Sequence, residues 1–99
     1  MESDMSALMI ARIIVKDPEK LQEYLAKTQA VAAPFGAELV HRGKVDKALT
    51  GESADHELAV IVKFPSLAKL DEWYDSDAYQ PLKALRDAGA DMRITSYEV

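Results

Sequence analysis

Apolar residues recur along this chain in two rhythms, one alternating and one with a period near three and a half. Ala7 to Val15 is rich in β-branched residues and apolar at both alternating sets of positions, apart from Arg12. That is the pattern of a strand buried on two faces. Asp17-Pro18 then opens a helix, with a carboxylate at the N-cap and proline at the first helical position. Leu21, Tyr24, Leu25, Thr28, Val31 and Ala32 follow at helical spacing, which predicts an amphipathic helix of about four turns. Pro34 ends it and Gly36 supplies the turn. Glu38 to Val45 reads as a more polar strand, suited to a sheet edge. Asp46 to His56 is a polar connection with Gly51 as its turn residue. Leu58 to Phe64 repeats the signature of the first strand, broken once by Lys63. Ser66 caps a short helix whose buried side is Leu67, Leu70, Trp73 and Tyr74. A second helix is predicted from Ser76 to about residue 88, with Gly89 as a left-handed residue closing it. Met92 to Tyr97 is the last strand.

The order is β-α-β-β-α-β. It predicts an α+β domain of ferredoxin-like topology, a four-stranded antiparallel sheet with its helices on one face. Residues 1–6 read as a disordered tail and 7–99 as a single domain. With the helices on one face, the other face should turn polar if it met water. Instead Leu8, Ile10 and Ile14 oppose Met9, Ile13 and Val15, and Ala59 and Ile61 oppose Val60 and Val62. At about 25 cal/mol per Å², leaving such side chains wet forgoes several kcal/mol. A chain of 99 residues has no spare segment to cover them. The pattern therefore predicts a homodimer, sheet packed on sheet about a two-fold axis.

Composition narrows the chemistry. There is no cysteine, which removes disulfides, thiol catalysis and thiolate metal sites. A net charge of −5 with no cluster of Lys and Arg argues against nucleic acid as partner. No apolar run approaches the ~20 residues of a membrane span, and the acidic start lacks a signal peptide's basic region. The expectation is a cytoplasmic protein with neither nucleic acid nor membrane as partner. Glycine-rich phosphate loops, paired-histidine metal spacings and nucleophile elbows are absent, so no metal and no cofactor is expected.

The stretch with most chemistry in it is 73–86. It holds the only tryptophan, two of the four tyrosines and an arginine among apolar residues. On a helix, Tyr79, Leu82 and Arg86 would share one side, with phenol and guanidinium two turns apart. Trp73, Tyr74, Tyr79 and Arg86 are the candidate ligand-binding residues, combining apolar bodies with polar tips. Arg86 could hold a carboxylate bidentately, or simply sit in the last turn of its helix and pair with Asp87 or Asp91. His41, beside Arg42, is the candidate proton carrier. The candidate catalytic set is thus His41, Tyr79 and Arg86.

Asp17-Pro18, Pro34 through Gly36-Ala37, Leu49-Thr50-Gly51, Val62 to Ser66, the run Trp73 to Gln80, and Arg86 together resemble the bacterial family known as domain of unknown function thirteen-thirty. The likeness runs from about Leu8 to Tyr97, and its most specific part is 73–86. It implies a dimeric α+β barrel, two ferredoxin-like sheets closed on each other, within a superfamily that includes cofactor-free monooxygenases, isomerases and chlorite- or peroxide-handling haem enzymes. Gly36-Ala37 stands where that family usually has Gly-Gly, and Asp77 where it has proline. Residues and resemblance together point to a small homodimer that binds a small anionic organic molecule without a cofactor. In the enzymatic version it also transforms it, with Arg86 anchoring a carboxylate, Tyr79 donating to an oxyanion and His41 moving a proton. The alternative is a non-catalytic ligand-binding or subunit-interaction module.

Overall fold

The computed structural model describes residues 6–51 and 56–99. Ala7–Val15 forms β1 near the middle of a four-stranded sheet. Glu38–Lys44 is β2, Leu58–Phe64 is β3 and Ala90–Glu98 is β4. The strand order is β2-β3-β1-β4. β1 pairs antiparallel with β3 and β4, and β2 pairs antiparallel with β3. The helices are α1 (Pro18–Ala32), α2 (Leu67–Asp75) and α3 (Leu82–Gly89). This is the ferredoxin-like α+β arrangement expected from the alternation of patterns. Residues 1–5 of the expected N-terminal tail lie outside the described residues. The carbonyl of Ser6, the first described residue, accepts from the Val99 amide at 2.9 Å.

Local chemistry sets the element ends. Asp17 caps α1, its Oδ1 accepting from the amides of Glu19 (3.1 Å) and Lys20 (3.3 Å). These are donors the helix leaves unpaired. A 3-10 turn, Ala33–Phe35, tightens the far end, and Gly36 follows at φ 83°. Gly36 is needed twice over there, because a Cβ would also stand 2.6 Å from Pro65 Cγ.

Gly89 corrects the sequence reading. It is the last residue of α3, and only Gly36 and Gly51 have positive φ among the described residues. Its lack of a side chain serves close packing instead. A Cβ at Gly89 would lie 2.7 Å from the Leu21 amide nitrogen of α1. Its carbonyl accepts from the amides of both Lys16 and Asp17 at 2.9 Å. The end of α3 is thereby bolted to the start of α1.

One face of the sheet makes the core. Ala7, Met9, Ala11 and Ile13 of β1, with Val60 and Phe64 of β3, are buried beneath the helices with Leu21, Tyr24, Leu70, Trp73 and Tyr79. The other face carries Leu8, Ile10, Ile14, Ala59 and Ile61, half-buried or exposed, with no described segment lying over it. On that face β1 and β4 set Arg12 directly opposite Arg93. β2 is exposed along its whole length, as an edge strand should be.

Two glycine substitutions separate these roles. Gly89→Ala is expected to destabilise by about 1–3 kcal/mol through overpacking, lowering Tm by several degrees or more. Gly43→Ala, where an added Cβ meets nothing within 4 Å, is expected to be neutral or slightly stabilising. Removing the cap by Asp17→Ala is expected to cost about 1 kcal/mol. Chemical denaturation of the three variants checks all of these.

Candidate functional site

The site begins with a helix that stops. Ser66 Oγ accepts from the Lys69 amide at 3.1 Å and starts α2. After Asp75 the chain turns out, and residues 77–81 form turns before α3 opens at Leu82. Ser76 was expected to open the next helix, but it closes this one. Its Oγ donates to the Trp73 carbonyl at 2.7 Å and accepts from the Tyr79 amide at 3.2 Å. A hydroxyl can do both because it is donor and acceptor at once. The Leu82 amide donates to the Tyr79 carbonyl at 2.8 Å, so the tight turn carries Tyr79 inward over α3.

That turn gathers the aromatic residues. Tyr79 is 0% exposed and Trp73 2%. The Trp73 and Tyr79 ring centres are 4.7 Å apart, those of Tyr74 and Tyr79 5.0 Å, and those of Phe64 and Trp73 5.4 Å. Arg86 closes the group from α3. One guanidinium nitrogen donates to both Tyr74 Oη (3.1 Å) and Tyr79 Oη (3.2 Å), while Nε donates to Asp87 at 3.1 Å. Burial acts to lower the Arg86 pKa, but the bonds to Tyr74, Tyr79 and Asp87 outweigh it, and the guanidinium is held charged beyond its ordinary range. Lys83 Nζ sits 4.8 Å from the Tyr74 ring centre, a second cation on the same ring cluster. The predicted convergence of phenol and guanidinium is therefore real, although a turn rather than a continuous helix achieves it.

From Tyr79 the network runs inward. Tyr79 Oη and Tyr24 Oη are 2.7 Å apart. Tyr24, on α1, is 2% exposed. Burial pushes its phenol pKa up, and the bond with Tyr79 adds to this. Tyr24 also lines a cavity of about 370 Å³ between α1 and the helix-facing side of the sheet. Its walls include Met9, Ala11, Val60, Phe64 and Ile94, with Gln22, Gln29 and Arg42 as its exposed polar members. Trp73 lines it too, and the Trp73 Nε1 is buried without a hydrogen-bond partner among the described residues. A buried N–H left unmatched costs about 1–3 kcal/mol. Thr28, one turn along α1 from Tyr24, is on the same wall. Its Oγ1 has no partner of bonding geometry and acts on the Tyr24 phenol only as a weak opposing influence.

The structure thus brings Trp73, Tyr74, Tyr79 and Arg86 together, and of these four only Trp73 lines the cavity. Tyr74, Tyr79 and Arg86 stand behind it, and Arg86 is committed to two phenols and Asp87. His41 does not join them. It pairs with Ile61, next to an irregularity between Leu39 and His41 that leaves Val40 unpaired, so it projects on the face away from the helices. Its neighbour Arg42 pairs with Val60 and reaches the cavity instead. Among the described residues no three His, Asp or Glu side chains approach closely enough to hold a metal ion. No described helix is long and apolar enough to cross a membrane. Sequence reasoning missed Tyr24 and Arg42 as site residues. Tyr24 was legible only as a core position of α1, and Arg42 depended on the register shift in β2.

Solved structures with this geometry share the fold at low identity. A protein of unknown function from Rhodopseudomonas palustris is 18% identical with a TM-score of 0.82, covering 98% of this chain and 84% of that one. SnoaB, a cofactor-independent oxygenase from Streptomyces nogalater, is 12% identical with a TM-score of 0.71, covering 97% and 94%. A dimeric ferredoxin-like protein of unknown function from Jannaschia sp. CCS1 is 13% identical with a TM-score of 0.71, covering 95% and 99%. At such identities the likeness carries the fold alone. No curated protein matches the chain in sequence. Residues 6–98, nearly the whole of the chain, match the family described as domain of unknown function (DUF1330), and the chain belongs to that family.

Proposed function

We propose that this protein is a homodimeric binder of a small, largely apolar organic molecule carrying an acidic or carbonyl oxygen, taken up without a cofactor. The observation that carries the reading is the cavity beneath α1, lined mostly by apolar side chains together with the rings of Tyr24 and Trp73. Apolar walls with a few placed polar groups are the usual make-up of a small-molecule site. Arg42 is the cation available to a carboxylate, since Arg86 already holds two phenols and an acid. This moves the anion-anchoring role from α3 to β2. Catalysis is the second reading, and SnoaB, a cofactor-independent oxygenase of the same fold, speaks for it. His41 has no part in a single-subunit version of it, being on the other side of the sheet.

The dimer rests on separate support. Leu8, Ile10 and Ile61 share the face that no described segment covers. The Jannaschia protein of the same fold is dimeric. Pairing two such faces removes the aliphatic side chains of both from water.

Trp73 is the only tryptophan, so its emission reports on the cavity directly. Benzoate is expected to change that emission saturably. Ala11→Leu, which fills the cavity from β1, is expected to weaken binding about tenfold or more with the fold retained. A strictly linear, unsaturable response in the unaltered protein would end the binding reading. Ile10→Glu is expected to convert a dimer to a monomer in sedimentation velocity, and a monomeric parent protein would end the dimer reading.

A further inference from the structure

Hydrogen-bond accounting in the phenol chain leaves one proton over. Arg86 has no acceptor, so it must donate to both Tyr74 Oη and Tyr79 Oη. Tyr79 is 0% exposed, and its only other hydroxyl partner among the described residues is Tyr24 Oη at 2.7 Å. Were Tyr24 the donor in that bond, the Tyr79 proton would be buried with nowhere to go. Buried hydroxyls are overwhelmingly satisfied. Tyr79 therefore donates to Tyr24, and the Tyr24 proton is free to leave the chain. It is left for the cavity that Tyr24 lines.

We propose that Arg86 and Tyr79 are positioning residues that orient Tyr24 as a hydrogen-bond donor to the cavity, so that the buried end of the ligand is a carbonyl-type oxygen. This rests on the binding reading above and narrows it. Three groups in series, guanidinium to phenol to phenol, all point their protons the same way. Such chains polarise one another. A cation at the outer end strengthens donation at the inner end as negative charge gathers on the ligand oxygen. A phenol donor with no carboxylate among the lining residues favours a ketone, aldehyde, enolate or carboxylate end and disfavours an amine or other cation. The feature is also economical with charge, since the cation stays at the edge of the protein and only neutral phenols enter the core.

A shape-matched pair of probes tests it. Acetophenone and α-methylstyrene differ by a carbonyl oxygen in place of a methylene, and both can be titrated against Trp73 emission. Tyr24→Phe and Tyr79→Phe are each expected to weaken acetophenone about tenfold while changing α-methylstyrene less than about twofold. The double variant is expected to be no worse than Tyr24→Phe alone, because the two act through one bond. Arg86→Met should lower acetophenone affinity in the same direction. Equal losses for both probes, additive losses in the double variant, or a Tyr79→Phe protein that keeps its acetophenone affinity would each overturn the relay while leaving the cavity a binding site. If the unaltered protein bound neither probe, the binding reading would fall and the relay with it.

Discussion

A phenol inside a protein must spend its proton on something, and in this fold that requirement organises the interior. Trp73, Tyr79 and Tyr24 fill the space between the helices and the sheet with rings, which supply apolar area, and each ring brings a polar tip. The tips cannot reach water. They are matched instead to one another and to Arg86, whose guanidinium stands where α3 meets the turn at 76–81. Ser76 makes this geometry available by ending α2 and seeding the turn with one hydroxyl. The tip left unmatched among the described residues is the indole N–H of Trp73. Packing and candidate chemistry are thus the same set of side chains.

The strands and α1 could be read from sequence because their patterns are strong and local. Asp17-Pro18 fixes one end of α1 and Pro34 to Gly36 the other, and alternation within β1 and β3 is reinforced by β-branched residues. The stretch after Trp73 was read less well. Ser76 and Asp77 are good N-caps by type, but nothing local says that the turn would extend to Pro81 before α3 began. Gly89 was misjudged for a related reason. Glycine at a helix end ordinarily signals positive φ, while the reason here is a neighbour 68 positions back in the chain, the backbone of Leu21. Tyr24 was placed on the right face, yet its partner is 55 residues away and no periodicity reveals such a bond. Arg42 rather than His41 faces the helices because a single irregularity in β2 decides which of two neighbours turns toward them.

The second face of the sheet answers to a different constraint. Its aliphatic residues sit beside Arg12 and Arg93, set opposite one another across β1 and β4. A face of this kind sets two cations among apolar side chains. It lies on the far side of the sheet from the cavity.

Gly89 has a mechanical consequence. Its carbonyl holds two amides at the beginning of α1, and its bare α-carbon lets the two backbones touch, so α1 is clamped at that end like a hinged shutter. The opposite end passes through a single 3-10 turn to Gly36 and carries exposed Ala33 and Pro34. The two ends of α1 are thus held differently, one by backbone contact with α3 and the other through a 3-10 turn and Gly36.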